Sequence, residues 1–302
     1  MYWYIYPVVG KHMTKDILYI LISLLILSCS SQKNTQGKSY TEKELEKSIL
    51  VGDFLFVGKT DNDSIPKKKV IKKDEPKFNP NINKDSLFKI VIKKVHPTKV
   101  EGLTKAFNEG NNQEREFLLM ILSMNKSSKE EQINNLKANE SNIKTLIKEY
   151  SVLVPDSLIV YIEFNPKDIV FNTDKSIDLR IYSNRKNKNG GIDQKFRESN
   201  LPYNSEVLLE QINTLGWNKK TLMNIKNLLD NANCNSIKNG NITTVGFARS
   251  GMGKYSYKFF KNDLSKEEQS EYNDGCLYVY YERNIVLEFG GGAIGQQCFE
   301  KE

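Results

Sequence analysis

At Pro155 the spacing of apolar residues changes, and that change restricts the fold classes open to the chain. Upstream, Ile133, Leu136, Ile143, Leu146, Ile147 and Tyr150 recur at near-helical intervals. Ser127-Ser128-Lys129-Glu130-Glu131 supplies a hydroxyl cap with acids in the first turn, a helix start. The region from Asp85 to about Tyr150 therefore reads as helical, with Phe117, Leu118, Ile121 and Leu122 as a core cluster. Downstream the period becomes two. Leu158 to Phe164 is β-rich and apolar on both faces except at Glu163, and Ile177, Leu179 and Ile181 alternate with Asp178, Arg180 and Tyr182. Asn187 to Gly191 reads as a flexible loop.

A second helical block spans about Ser205 to Ala232 with a break at Gly216, and Leu222, Ile225, Leu228, Leu229 and Ala232 form one stripe. Asn239-Gly240 is a hairpin signal between Asn235–Lys238 and Thr243–Arg249. Tyr255, Tyr257 and Phe259 share one face, Leu277, Val279 and Tyr281 another, and Ile285, Leu287 and Phe289 a third, with a tight turn at Arg283-Asn284. Short links favour hairpins over crossovers. The expected fold class is α+β: a helical N-terminal half of the folded region, then a helix packed on an antiparallel β-meander. Tyr278 and Tyr280 are expected to face a covering helix; the alternative is an exposed aromatic stripe.

The N-terminus has a separate character. The apolar run from Ile17 to Leu27 is about half the roughly 20 residues a spanning helix needs, and it follows Lys11, His12 and Lys15. Ile26-Leu27-Ser28-Cys29 comes next. It resembles the lipobox of bacterial lipoproteins, with an aliphatic residue three before the Cys and a small one just before it. The resemblance implies cleavage before Cys29 and attachment of acyl chains to it. Each buried methylene contributes about 0.8 kcal/mol, so two or more chains hold firmly where one is marginal. Residues 1–28 are thus expected to be a signal peptide, with Met13 as the true start because Met1 to His12 is aromatic-rich. Residues 29–81 read as the lipidated Cys and a flexible basic tether, with Lys67-Lys68-Lys69 and Lys72-Lys73 ahead of Pro76 and Pro80. Two further regions follow: 82–204, mainly helical and then two strands, and 205–302, a helix plus antiparallel sheet.

The segments Leu215-Gly216-Trp217, Asn233-Cys234, Arg249-Ser250-Gly251-Met252-Gly253, Asn273-Asp274-Gly275-Cys276, Gly290-Gly291-Gly292 and Cys298-Phe299 resemble a C-terminal module of uncharacterised Bacteroidota lipoproteins. That likeness implies an address and a shared fold, with no assigned activity. Ser30 to Asn34 contains no acid, which points to a periplasm-facing position at the outer membrane.

Export places Cys234, Cys276 and Cys298 in an oxidising compartment, where one disulfide and one free thiol are expected. Cys276 and Cys298 bracket the last hairpin and are the favoured pair, with Cys234 as an alternative partner. The sequence holds 2 histidines, His12 and His96, and no Cys-x-x-Cys, so neither a metal site nor a Cys–His nucleophile is expected. No cofactor or catalytic residue is singled out. Gly251-Met-Gly253 and Gly290 to Gly295 lack the Gly-Lys-Ser/Thr continuation of a phosphate loop and read as turns. Recognition loops are the alternative: Arg249, Gly251, Gly253, Lys254, Gly290, Gly291, Gly292, Gln296 and Gln297 could line them. The formal charge of +7 comes from Lys interleaved with Asp and Glu, which does not predict a nucleic-acid partner. Expected partners are a lipid membrane, through Cys29, and an envelope protein or glycan. A hydrolase with paired carboxylates and a purely structural lipoprotein are the rival readings.

Overall fold

A computed structural model describes residues 77–188, 190–251, 253–290 and 298–299. Cys29, the signal-peptide run, the tether before residue 77, Gly291, Gly292, Gln296 and Gln297 lie outside the described residues.

The chain opens with α1 (Lys84–Val91), α2 (Pro97–Glu109), α3 (Asn112–Ser123) and the long α4 (Lys129–Leu153). Each start has a local cause. Asn83 caps α1, His96 precedes Pro97 at the first position of α2, and Asn111 with Glu114 forms a capping box on α3. Ser128 and Glu131 form the same box on α4, where the sequence places a helix start. Then come β1 (Leu158–Asn165), β2 (Ser176–Lys186), β3 (Ile192–Pro202), α5 (Glu206–Thr214) and α6 (Lys219–Asn231). Gly216, at φ +73°, ends the first of these helices, and Asn218 caps the second. The rest is β4 (Ser236–Lys238), β5 (Ile242–Ser250), β6 (Gly253–Phe260), α7 (Lys266–Glu271), β7 (Tyr278–Glu282) and β8 (Ile285–Gly290).

All eight strands form one antiparallel sheet in the order β3-β2-β1-β4-β5-β6-β8-β7. The α+β expectation holds, with four corrections. Asn187 N–H donates to Gly191 O, closing a hairpin, and a third strand, β3, pairs with β2 beyond it. Periodicity predicts only two strands there because β3 is polar and exposed along most of its length. The last strands do not form a simple meander. The link containing α7 is long enough to carry the chain past one position, so β8 pairs with β6 and β7 becomes the edge. The expected division at 204/205 separates no cores, because β1 pairs with β4 and one cluster contains residues from both sides. Finally, the folded part begins before residue 82. Asn79 is buried, and its backbone N–H and side-chain amide donate to Val170 O and Ile169 O.

One face of the sheet carries the main core. Across seven strands the register aligns Leu179, Ile162, Ile237, Val245, Tyr257, Leu287 and Val279. Directly opposed residues share a face, so this row lies beneath α4, α5 and α6. Tyr150 stands edge-on to Trp217 at 5.9 Å, and the Trp217 indole N–H donates to Leu153 O, closing the end of α4. A second cluster joins α1, α2 and α3 to Val170, with Phe88 stacked on Phe107 at 4.0 Å. Here the fully buried apolar residue of α3 is Leu119, with Ser123 buried beside it; Phe117, Leu118, Ile121 and Leu122 are half-buried.

Candidate functional site

Alternation puts the residues between the core positions on the opposite, polar face. There Glu163, the one charged residue in an otherwise apolar strand, is 1% exposed. An unpaired carboxylate at that depth would cost several kcal/mol, so its partners decide whether the strand can exist. Arg249 supplies a two-pronged pair: Nε donates to Oε1 at 3.0 Å and an Nη to Oε2 at 2.9 Å. Lys254 lies 3.1 Å from Oε1, and the Tyr161 hydroxyl donates to Oε2. Burial pushes the Glu163 carboxyl up, but Lys254 and Arg249 outweigh it, and the Tyr161 hydrogen bond adds to them. The result is about 2.

Directly opposite on β2 sits Asp178, 3% exposed. Its Oδ1 accepts from the Asn165 amide at 2.8 Å and from Asn200 N–H at 2.9 Å. Burial, then the Glu163 charge, raises its carboxyl above the usual aspartate value. The two carboxylates are therefore driven apart, Glu163 held ionised and Asp178 toward neutral.

Gly246 makes this possible. It stands between Ser236 and Ser256 across the sheet, and a Cβ on it would come within 2.4 Å of Lys254 Cε and 2.2 Å of Ser236 Oγ. Without a side chain there, Lys254 lies across β5 and reaches Ser236 Oγ at 2.6 Å as well as Glu163. The Gly246→Ala protein should lose about 1–3 kcal/mol of stability by overpacking. Chemical denaturation would measure this, and a loss under about 0.5 kcal/mol would mean that the lysine has another path.

The structure thus unites two of the expected recognition residues, Arg249 and Lys254, but spends both on Glu163 instead of presenting them at a loop surface. Gly290 is opposite Lys254, and Gly251, at φ +56°, makes the β5–β6 turn whose N–H donates to Asn125 O. Gly253 pairs with Ser250. These glycines are turn and strand-end positions. Tyr278 and Tyr280 lie on the polar face, opposite Glu288 and Val286, and not toward the helices, because Val279 and Tyr281 take the core side.

Cys276 and Cys298 form a disulfide, while Cys234 is free and buried, its thiol pushed up to about 12 chiefly by burial. Among the described residues no three His, Cys, Asp or Glu side chains come together as a metal site, and no helix is long and apolar enough to cross a membrane. The Glu163 cluster was missed by sequence reasoning, although two signals mark it. One is a lone acid in an apolar strand; the other is an isolated glycine inside a strand pattern. Comparison with known protein families, curated proteins and solved structures gives no match.

Proposed function

We propose that this protein is a membrane-anchored lipoprotein of the bacterial cell envelope that binds a ligand without catalysing its conversion. The anchor reading rests on the apolar run and on Ile26 to Cys29. The Cys276–Cys298 disulfide supports an oxidising compartment.

One observation carries the choice of binding over hydrolysis: both oxygens of Glu163 are occupied by cations and a hydroxyl. Opposed residues place their Cβ atoms about 5 Å apart, so Glu163 and Asp178 have a spacing that a retaining glycosidase could use. A nucleophile or base, however, needs a free lone pair and useful basicity. A carboxylate held at about 2 and fully claimed has neither.

Labelled palmitate fed to cells should enter the wild-type chain and be absent from the Cys29→Ala chain, which should also leave the detergent phase. Equal labelling of both would overturn the anchor. Release of reducing ends from envelope glycans by the wild type and not by Glu163→Gln would replace the binding reading with the hydrolase.

A further inference from the structure

The polar face holds a second feature, a row of one residue per strand crossing the whole sheet. Pairing places Arg197 opposite Arg180, Arg180 opposite Tyr161, and Tyr161 opposite Lys238. The same row continues through Thr244, Lys258 and Val286 and ends at Tyr280. Arg180, Lys238 and Lys258 stand on every second strand of the sheet order, so neighbouring cations are about 10 Å apart along a line perpendicular to the strands. The row is half-buried apart from Arg197, which is exposed, and Val286, which is buried.

The adjacent acids offset it only in part, at Lys258. Glu163 is taken by Arg249 and Lys254, and Glu288 pairs with Lys258 at 3.2 Å. Among the described residues Arg180, Arg197 and Lys238 have no ion-pair partner. The Arg180 guanidinium lies 4.9 Å from the Tyr161 ring centre, and its buried Nε has no acceptor. Burial, followed by the charge of Lys258, weakens proton binding at Lys238, and an anion nearby would relieve that cost.

We propose that this row binds a linear acidic polysaccharide carrying one anionic group per disaccharide. This deepens the binding reading above and rests on it. Two sugar rings along an extended chain separate successive acids by a distance comparable to the cation spacing. Tyr280 adds a ring at one end on which a sugar can stack. A peptide is disfavoured because sheets capture peptides at a strand edge, through main-chain hydrogen bonds, and the middle of a sheet face offers side chains alone. Duplex nucleic acid carries a charge about every 1.7 Å, far denser than this row.

The test uses the full chain in nonionic detergent and a hyaluronan octasaccharide as probe, with calorimetric titration. Arg180→Gln and Lys238→Gln should each weaken binding about tenfold, the worth of one charge-assisted hydrogen bond. Thr244→Glu, which places an anion between Lys238 and Lys258, should weaken it at least as much. Lys226→Gln, on the α6 surface, should leave it unchanged, and a neutral chitin hexasaccharide should not bind. Circular dichroism checks that each variant is folded, and Thr244→Glu serves if Arg180→Gln is not. No binding by the wild type, or equal loss in Lys226→Gln, overturns the proposal. So does equal competition by polyglutamate or by phosphatidylglycerol vesicles, which would identify a different occupant. Palmitate labelling keeps the two ideas separable. A labelled chain that binds no probe loses the glycan and keeps the anchor; an unlabelled chain that binds hyaluronan does the reverse.

Discussion

Replacing Glu163 by glutamine should lower the unfolding free energy by about 3–5 kcal/mol, the usual cost of removing one partner from a buried ion pair. The glutamine keeps the shape and still meets the Tyr161 hydroxyl. It leaves Arg249 and Lys254 facing each other without the carboxylate that both contact, and Asp178 as the remaining acid beside them; their side chains are only 20% and 15% exposed. The wild-type protein should show the same effect through pH. The carboxyl moves from 4.5 in the free chain to about 2 when folded. Its stabilisation is therefore fully present above about pH 4.5 and lost as the pH falls toward 2, and it amounts to about 3 kcal/mol. Urea melts at pH 7 and at pH 2.5 should bring wild type and Glu163→Gln progressively together. A triple change of Glu163, Arg249 and Lys254 to methionine should recover much of the loss, since an apolar replacement of a whole buried set is often neutral. A Glu163→Gln protein within about 1 kcal/mol of wild type at pH 7 would show that water reaches the cluster and screens it.

Cys298→Ser should cost about 3 kcal/mol, because the 22-residue separation between Cys276 and Cys298 sets the entropy that the cross-link removes from the unfolded chain. The bond also holds Phe299 in place. Its N–H donates to Cys276 O, and its ring meets those of Tyr255 and Phe289 at 5.8 and 6.0 Å. Thermal melts should show the wild type dropping to the Cys298→Ser value when reductant is added, with no further change in the variant. A reductant-dependent change of similar size in Cys298→Ser would assign the effect to another sulfur.

Both predictions concern features that local sequence describes unequally. Cap residues, the break at Gly216, the Asn239-Gly240 turn and the alternation of Tyr255, Tyr257 and Phe259 were legible because each depends on neighbours within about four positions. Asn239 shows where such reading stops. Its turn is visible in the sequence, but its side chain also accepts from Val160 N–H at 2.6 Å and donates to Leu158 O at 3.0 Å, extending the ladder to β1. Nothing near residue 239 predicts that partner.

By itself, then, the sequence determined the apolar run ahead of Cys29, the α+β class, and which side of each apolar strand is inward, since side-chain direction follows from a two-residue period. Only the tertiary structure decided which strands adjoin, that β8 inserts between β6 and β7, and that one sheet unites residues on both sides of position 205. The same holds for Glu163. A lone acid in a strand is a question that Arg249 answers from 86 residues further on, and Coulomb attraction at 3 Å depends on position in space, to which spacing along the chain gives no guide.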